Sequence, residues 1–530
     1  MEKIPTRLLT SLIAGLMTVN VSVMADTSRP KLVVGIVVDQ LRTDYLEYLK
    51  SMFGKTGFRR LMDNGVYFSD VDFKAETSDP ASSTALIYTG NYPPASGIAS
   101  ANIFSPSDHL VRPALEDKSV IGISTRESLS PASLLLSTIS DEVAIDGDGF
   151  TSVYAISADA QQAIIMAGHA GSGAFWINDT DGKWSSTAYY KEYPEFLTRR
   201  NRLQSLADRM DTMQWRPTRK IEEYPGIPAQ KRYYPFRYTF PRADKESLSR
   251  FKGSALSNIE VTDVALDAIR SLSLGKRGDA IDMLSIGYTA TPYKYVKDGD
   301  SRVELEDTYL RLDGQIGRLL ENIDKEIGLG NTLIFLTSTG YYDDGVQVDP
   351  KFRLPSGDVS LKRIESLLNS YLSAKYGNGD YVAGISGNQV YLDGRKMESA
   401  GANSSTLLND ARDFLLKMSG ISRVRTLTDI LSDNTPAGIR RANSIDTKTA
   451  GDLFIEFTPG WNVVDDLHFP VKKTPVRQGM INSPLIIMGE NITPRKIDTP
   501  VDATAIAPTI TSTLHIRSPN GSGTRPLTIR

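Results

Sequence analysis

The chain has 530 residues, 40% of them hydrophobic and 23% charged, which supplies a large core and excludes a mainly disordered state. Sixty Lys and Arg against 63 Asp and Glu leave a net charge of −3, without the overall basic excess of a nucleic-acid binder or a polybasic membrane-surface protein. The absence of cysteine excludes disulfides, thiolate metal sites, a thiol nucleophile and a lipidated cysteine, and His109, His169, His468 and His515 include no i, i+4 pair that would share a helix face.

In chain order, the first predicted element is a secretory signal peptide over residues 1–25. Lys3 and Arg7 precede an apolar run from Leu8 to Met24, and Val23 and Ala25 stand at the −3 and −1 positions of a cleavage point. Thr10, Ser11, Asn20 and Ser22 dilute the run too much for a membrane anchor, and no later stretch is long and apolar enough to cross a bilayer. The expectation is an exported, soluble chain, in the periplasm or on the outer face of a bacterial envelope, and not a lipoprotein.

The β-branched run 31–39 predicts a strand buried on both faces of a parallel sheet, with Asp39 at its carboxyl end. Ligands of open α/β sheets bind at that edge, so Asp39 is a candidate site residue. Leu46, Leu49, Phe53, Phe58 and Leu61 predict a helix over 45–64. Further strands are predicted at 150–156, 280–286, 331–337 and 483–488, and helices at 259–274, 303–327 and 404–418. That alternation predicts an α/β fold with a mostly parallel sheet. The pattern breaks near 170–255, where Trp, Tyr, Pro, Arg and Lys mix, and again near 340–400; both stretches read as cap insertions.

Several segments then resemble one family, in its own order from end to end. They are Val33 to Arg42, Ile87 to Ile98, Ala167 to Trp176, Val303 to Asp313, Pro484 to Gly489 and Ile506 to Ile510. The chain resembles the alkaline phosphatase superfamily in its type I phosphodiesterase and nucleotide pyrophosphatase branch, most of all the secreted PafA-type phosphatases of Bacteroidota. The resemblance implies a three-layer fold with helices on both faces of the sheet. It also implies two zinc ions held by Asp and His around a Thr or Ser nucleophile, the metals stabilising the attacking and leaving oxygens.

Position by position, the implied centre is missing. Asp39 matches the first aspartate ligand. Counting back from Tyr88-Thr89-Gly90 puts Pro80 at the nucleophile; a shifted register would make it Ser78, and both registers stand at this stage. Pro292 and Val296 replace one Asp/His pair, Thr339 and Gly340 another, and Asn482 the last histidine. Asp159 and Gln161 stand where relatives place phosphate-binding Lys and Arg, and an acid there repels phosphate.

Other candidates read as structural. Asp343, Asp344 and Asp349 offer calcium ligands but no complete spacing. Asn178 to Gly182 reads as a hairpin turn, Asp465-Asp466-Leu467-His468 as a loop, and His169 as a packed residue. The sequence therefore predicts an inactive phosphatase-like protein that has lost its zinc and has no other cofactor. Its expected partner is another envelope protein, met through aromatic inserts such as Tyr189 to Tyr193. The alternative is a metal-dependent phosphate or sulfate ester hydrolase with a rearranged site around Ser78 and Asp39.

Overall fold

Residues 32–38 are β-branched or small almost throughout, and in the computed structural model they form the middle of an eleven-stranded sheet. The structure describes residues 29–529 apart from 77, 279, 297–299, 343–355, 400, 402, 469–470 and 477–481. The predicted signal peptide and the acidic trio Asp343, Asp344 and Asp349 lie outside the described residues.

The elements that concern the site are β1 (Leu32–Asp39), α1 (Thr43–Tyr48), α2 (Phe58–Asn64), β2 (Val66–Asp72) and α3 (Pro80–Thr89). There follow β3 (Gly122–Ile123), α4 (Ile139–Asp146), β4 (Val153–Ser157), α5 (Ala160–Ala167), β5 (Gly173–Ile177) and β6 (Trp184–Thr187). Then come α6 (Ala229–Tyr233), α7 (Leu256–Ser271), β7 (Asp282–Thr289), α8 (Arg302–Glu326) and β8 (Thr332–Ser338). The last are β9 (Ser483–Met488), β10 (Arg495–Ile497), β11 (Val501–Asp502) and α9 (Ile506–Thr513).

The sheet runs β10-β2-β9-β8-β1-β7-β4-β5-β6-β3, with β11 also on β2. From β8 through β1, β7 and β4 to β5 it is parallel; β9 is antiparallel to both neighbours, and β6 is antiparallel to β5. Strand alternation makes the three layers. Val34, Ile36 and Val38 face a core shared with α1, α2, α7 and α8, whereas Val33 and Val37 face a second core with α3, α4, α5 and α9. This is the α/β, mostly parallel, helix-on-both-faces architecture that the sequence predicts.

One predicted helix is broken. Residues 45–64 form α1, a 3₁₀ turn and α2, because Asp313 on α8 accepts the N–H groups of Gly54 and Phe58, each at 2.7 Å. A Cβ on Gly57 would stand 2.2 Å from the Asp313 carbonyl, so glycine permits that approach.

The aromatic stretch begins inside the main sheet with β5 and β6, joined by the hairpin turn in which Asn178 Oδ1 accepts the Thr180 N–H at 2.7 Å. It continues as short helices and a two-residue ribbon, Gln214–Trp215 against Tyr238–Thr239. This cap is tied to α7 and α8 by buried charge. Lys231 donates to both Glu304 oxygens (2.8 and 2.6 Å), and Tyr238 donates to the same carboxylate. Asp307 gathers Trp215, Thr218, Tyr224 and Arg311, and Glu260 gathers Arg200, Arg209 and Trp184.

A second body has its own core. Val382–Ser386, Gln389–Leu392, Leu453–Phe457 and Ile421–Thr426 make an antiparallel sheet backed by helices Leu361–Tyr376 and Ser404–Leu415. The helix predicted at 404–418 belongs here and not to the main layers.

Candidate functional site

The carboxyl ends of β1, β7 and β8 bring together most positions that the resemblance assigns to metal ligands. Ala290 donates its N–H to the Asp39 carbonyl at 2.8 Å, which locks the end of β7 against β1. Asn258 on α7 holds Thr289 by both its N–H and its carbonyl (2.9 and 2.8 Å). The chain then passes through buried Pro292 to Val296, which packs on the first core. Neither residue carries a side-chain donor atom.

At the end of β8, Thr339 Oγ1 donates to Asp39 Oδ1 at 2.8 Å and accepts the Gln40 N–H at 2.9 Å. Gln40 is buried with φ of 61°, a left-handed conformation uncommon outside glycine, so the Thr339 hydroxyl staples a strained turn. Gly340 follows with φ of 78°, and the ring of buried Phe73 lies 2.2 Å from where its Cβ would be. An aromatic ring from the segment after β2 thus fills the space into which the stem of a histidine would project. Asn482 is exposed just before β9, where its carbonyl accepts the Thr43 N–H at 3.4 Å.

These residues do not fit the zinc pair that the resemblance implies. Such a centre needs several carboxylate and imidazole donors at fixed positions. The donors here are the Asp39 carboxylate, a threonine hydroxyl already engaged with it, and an asparagine amide. Among the described residues no group of three or more His, Cys, Asp or Glu is arranged as a metal site.

The nucleophile segment is built as a helix start. Asp79 caps α3: its Oδ1 accepts the Ser82 N–H at 2.9 Å while Ser82 Oγ accepts the Asp79 N–H at 3.0 Å, and Pro80 takes the first helical position, where no N–H is needed. The other Asp79 oxygen accepts from Ser100 Oγ at 3.0 Å and from the Ala101 N–H at 2.5 Å. Ser78 is buried immediately before the cap. α3 continues without interruption to Thr89 and closes on left-handed Gly90.

At the neighbouring helix, Asp159 caps α5 by accepting the Gln162 N–H at 2.8 Å, and Gln161 Nε2 donates to the Ala101 carbonyl at 2.7 Å. Asp159 is exposed, with Asp179 and Asp79 the nearby carboxylates and Lys252 the nearby cation. Both residues serve the backbone where relatives would place cations.

The lesser candidates are structural. His169 joins Asp141 at 3.1 Å and the Leu134 carbonyl at 2.9 Å, and its pKa is raised chiefly by the Asp141 hydrogen bond. His468 pairs with Asp465 at 2.8 Å, while Asp466 caps the start of helix Leu361–Tyr376 through Ser360 and the Lys362 N–H. Within Tyr189 to Tyr193, expected as a contact surface, Lys191 and Glu192 are exposed, Tyr189 and Tyr193 are half-buried and Tyr190 turns inward. Tyr190 is buried and donates to the Gly168 carbonyl, and Tyr193 donates to the Trp184 carbonyl, so the rings close the end of β6.

Sequence reasoning missed Asp79, Phe73 and Asn258. Asp before Pro at a helix start is a capping signal, and it identifies Asp79. Phe73 and Asn258 act through space and leave no such local mark.

A model of the family described as type I phosphodiesterase / nucleotide pyrophosphatase matches residues 33–480. Alkaline phosphatase PhoV of Synechococcus elongatus is 30% identical over 519 residues, covering 93% of this chain and 92% of that protein. Alkaline phosphatase PafA of Elizabethkingia meningoseptica is 28% identical over 532 residues, covering 94% of each. The crystal structure of wild-type PafA superposes with a TM-score of 0.81 at 27% identity, over 94% of this chain and 98% of that one.

Proposed function

Because the chain belongs to the type I phosphodiesterase / nucleotide pyrophosphatase family and is similar to alkaline phosphatases along almost its whole length, we propose that it is a non-catalytic member which binds rather than hydrolyses. We place it in the bacterial cell envelope as a binding or scaffolding component of a protein complex. The observation that carries the reading is the junction of β1 and β8. There Thr339 hydrogen-bonds Asp39 and the Phe73 ring fills the space beside Gly340, so neutral packing stands where a metal centre would be built.

The helix start supports the same reading. With α3 unbroken from Pro80 to Thr89, there is no bulge to absorb the two extra residues that a Ser78 register requires, and the count back to Pro80 is favoured. Proline has no hydroxyl with which to attack phosphorus. The Asp79 carboxylate beside it occupies donors at the helix start and repels a phosphate ester.

The test is zinc content and turnover of the purified protein. After equilibration with zinc and removal of loosely bound ions, substoichiometric zinc and no hydrolysis of p-nitrophenyl phosphate or p-nitrophenyl sulfate are expected. Two tightly bound zinc ions, with hydrolysis abolished by Asp39→Ala or Ser78→Ala, would establish the rearranged hydrolase instead.

A further inference from the structure

The near-neutral total charge hides a local excess. Residues 216–252 carry ten Lys or Arg against four Asp or Glu, although the whole chain is at −3. The cap displays part of this excess without pairing it. The ribbon register Trp215↔Tyr238 leaves Arg216 and Arg237 just beyond its paired residues, one flanking each strand at the same end, and both are exposed. Neither has an ion-pair partner among the described residues; Arg216 only reaches the Gln214 side chain at 2.6 Å. Two like charges placed side by side destabilise a ribbon, so their retention asks for a reason outside the fold.

The same part of the cap, within four residues of Arg237, carries exposed aromatic rings. In and just after α6, Tyr233 and Tyr234 are 81% and 78% exposed, and Arg232 beside them is exposed and has no ion-pair partner among the described residues. Their neighbours fix this orientation. Lys231 turns inward onto Glu304, and Phe236 and Tyr238 stack at 5.6 Å beneath the ribbon against Trp215. Because Glu304 opens α8, which follows β7, the patch stands at the carboxyl end of the sheet, on the side of the degenerate centre.

We propose that this face is a peripheral contact for a membrane surface rich in anionic, phosphate-bearing headgroups. Guanidinium groups bind phosphate in bidentate fashion, and tyrosine settles at the boundary between headgroups and acyl chains, where its ring is buried and its hydroxyl stays wet. The choice of a membrane over an acidic protein rests on shape. Rings with about four-fifths of their surface in solvent offer no walled pocket for a partner's side chain, whereas a deformable interface needs none. This contact is independent of whether the centre is catalytic.

The experiment is co-sedimentation of the full mature chain with phosphatidylglycerol vesicles and with phosphatidylcholine vesicles, at low and physiological ionic strength. Binding to the anionic vesicles alone, weakened by salt, is expected. Each basic side chain near such a surface contributes about fivefold, so joint Arg216→Gln and Arg237→Gln substitution should cut partitioning about 30-fold. Joint Tyr233→Ser and Tyr234→Ser substitution should weaken binding while leaving its salt dependence unchanged. All four side chains are exposed, and unchanged melting temperatures would verify that the variants fold. No binding to either vesicle at low salt, or binding indifferent to all four substitutions, would overturn the proposal. So would equal binding to soluble polyglutamate that the tyrosine substitutions leave intact, since that would assign the face to an acidic protein.

Discussion

The carboxyl edge of the sheet and the seam between the cap and α8 treat charge in opposite ways. At the edge, five of the positions implied for zinc carry Thr339, Gly340, Pro292, Val296 and Asn482, and Phe73 packs into the space beside Gly340. At the seam, Glu304, Asp307 and Glu260 are buried acids, each held by two or more donors. Buried charge costs several kcal/mol unless it is paired, so its presence at the seam reflects positioning of the cap. The difference teaches where the paired ionic groups lie: they hold the cap to the helices beneath it, whereas at the edge Asp39 meets a neutral hydroxyl.

Lys231→Met breaks this comparison on the seam side and should have the largest effect. It leaves Glu304 buried without its ammonium partner, and a loss of about 4 kcal/mol in urea denaturation is expected. The same variant should loosen α6, which double-electron resonance between labels on α6 and α8 would register as a broader distance distribution.

Gly340→His tests the edge. A side chain at positive φ, forced against the Phe73 ring, should cost about 3 kcal/mol by the same denaturation measurement. Combining it with Thr339→Asp gives three donors together with Asp39, enough for one zinc, yet binding should stay below two zinc ions because Pro292, Val296 and Asn482 offer no carboxylate or imidazole. Two tightly bound zinc ions in that pair would show that the edge had kept a latent two-metal centre.

Glu306 sharpens the comparison most finely, because it is a seam carboxylate without a cation in its hydrogen-bonding set. Its carboxyl accepts the Gly226 N–H at 3.0 Å, and burial pushes its pKa up to about 7. A raised acid holds more protons folded than unfolded, so stability falls as pH rises from the ordinary glutamate range towards 7 and levels off above it. Glu306→Gln should therefore stabilise the protein by about 2 kcal/mol at pH 8 and by nothing at pH 4, as read from urea curves at the two pH values.

Much of the fold was legible because its signals are local. β1, with apolar residues on both faces, could only be a buried strand, and β9 was bounded at its own ends, Ser483 and Met488. Helix 45–64 was misread because its interruption is imposed by Asp313, a residue far along the chain whose carboxylate satisfies the freed N–H groups. Tyr189 to Tyr193 looked like a surface since composition does not say which way a ring turns; the hydroxyls of Tyr190 and Tyr193 find carbonyls inside. At the site, the loss of donors could be counted from Pro292 or Thr339, whereas the replacement packing by Phe73 depends on a contact between distant segments. The unpaired arginines were masked for a different reason, since a total charge averages a basic cap with an acidic remainder.

The place of β2 in the sheet has a consequence for how the chain is made. Every one of its strand partners, β9, β10 and β11, comes from the last stretch of sequence, so that Val66 waits for Ile487 and Arg495. At translation rates of about 5–20 residues per second, β2 stays an unpaired edge for tens of seconds after leaving the ribosome. Until the final strands arrive, the second core lacks Leu485 and Ile487 of β9 and the apolar face of α9, and the sheet cannot close over it. Until then β2 is an open edge on which the chain can aggregate, and a version truncated before β9 should be cleared by proteases even though most of its residues are present.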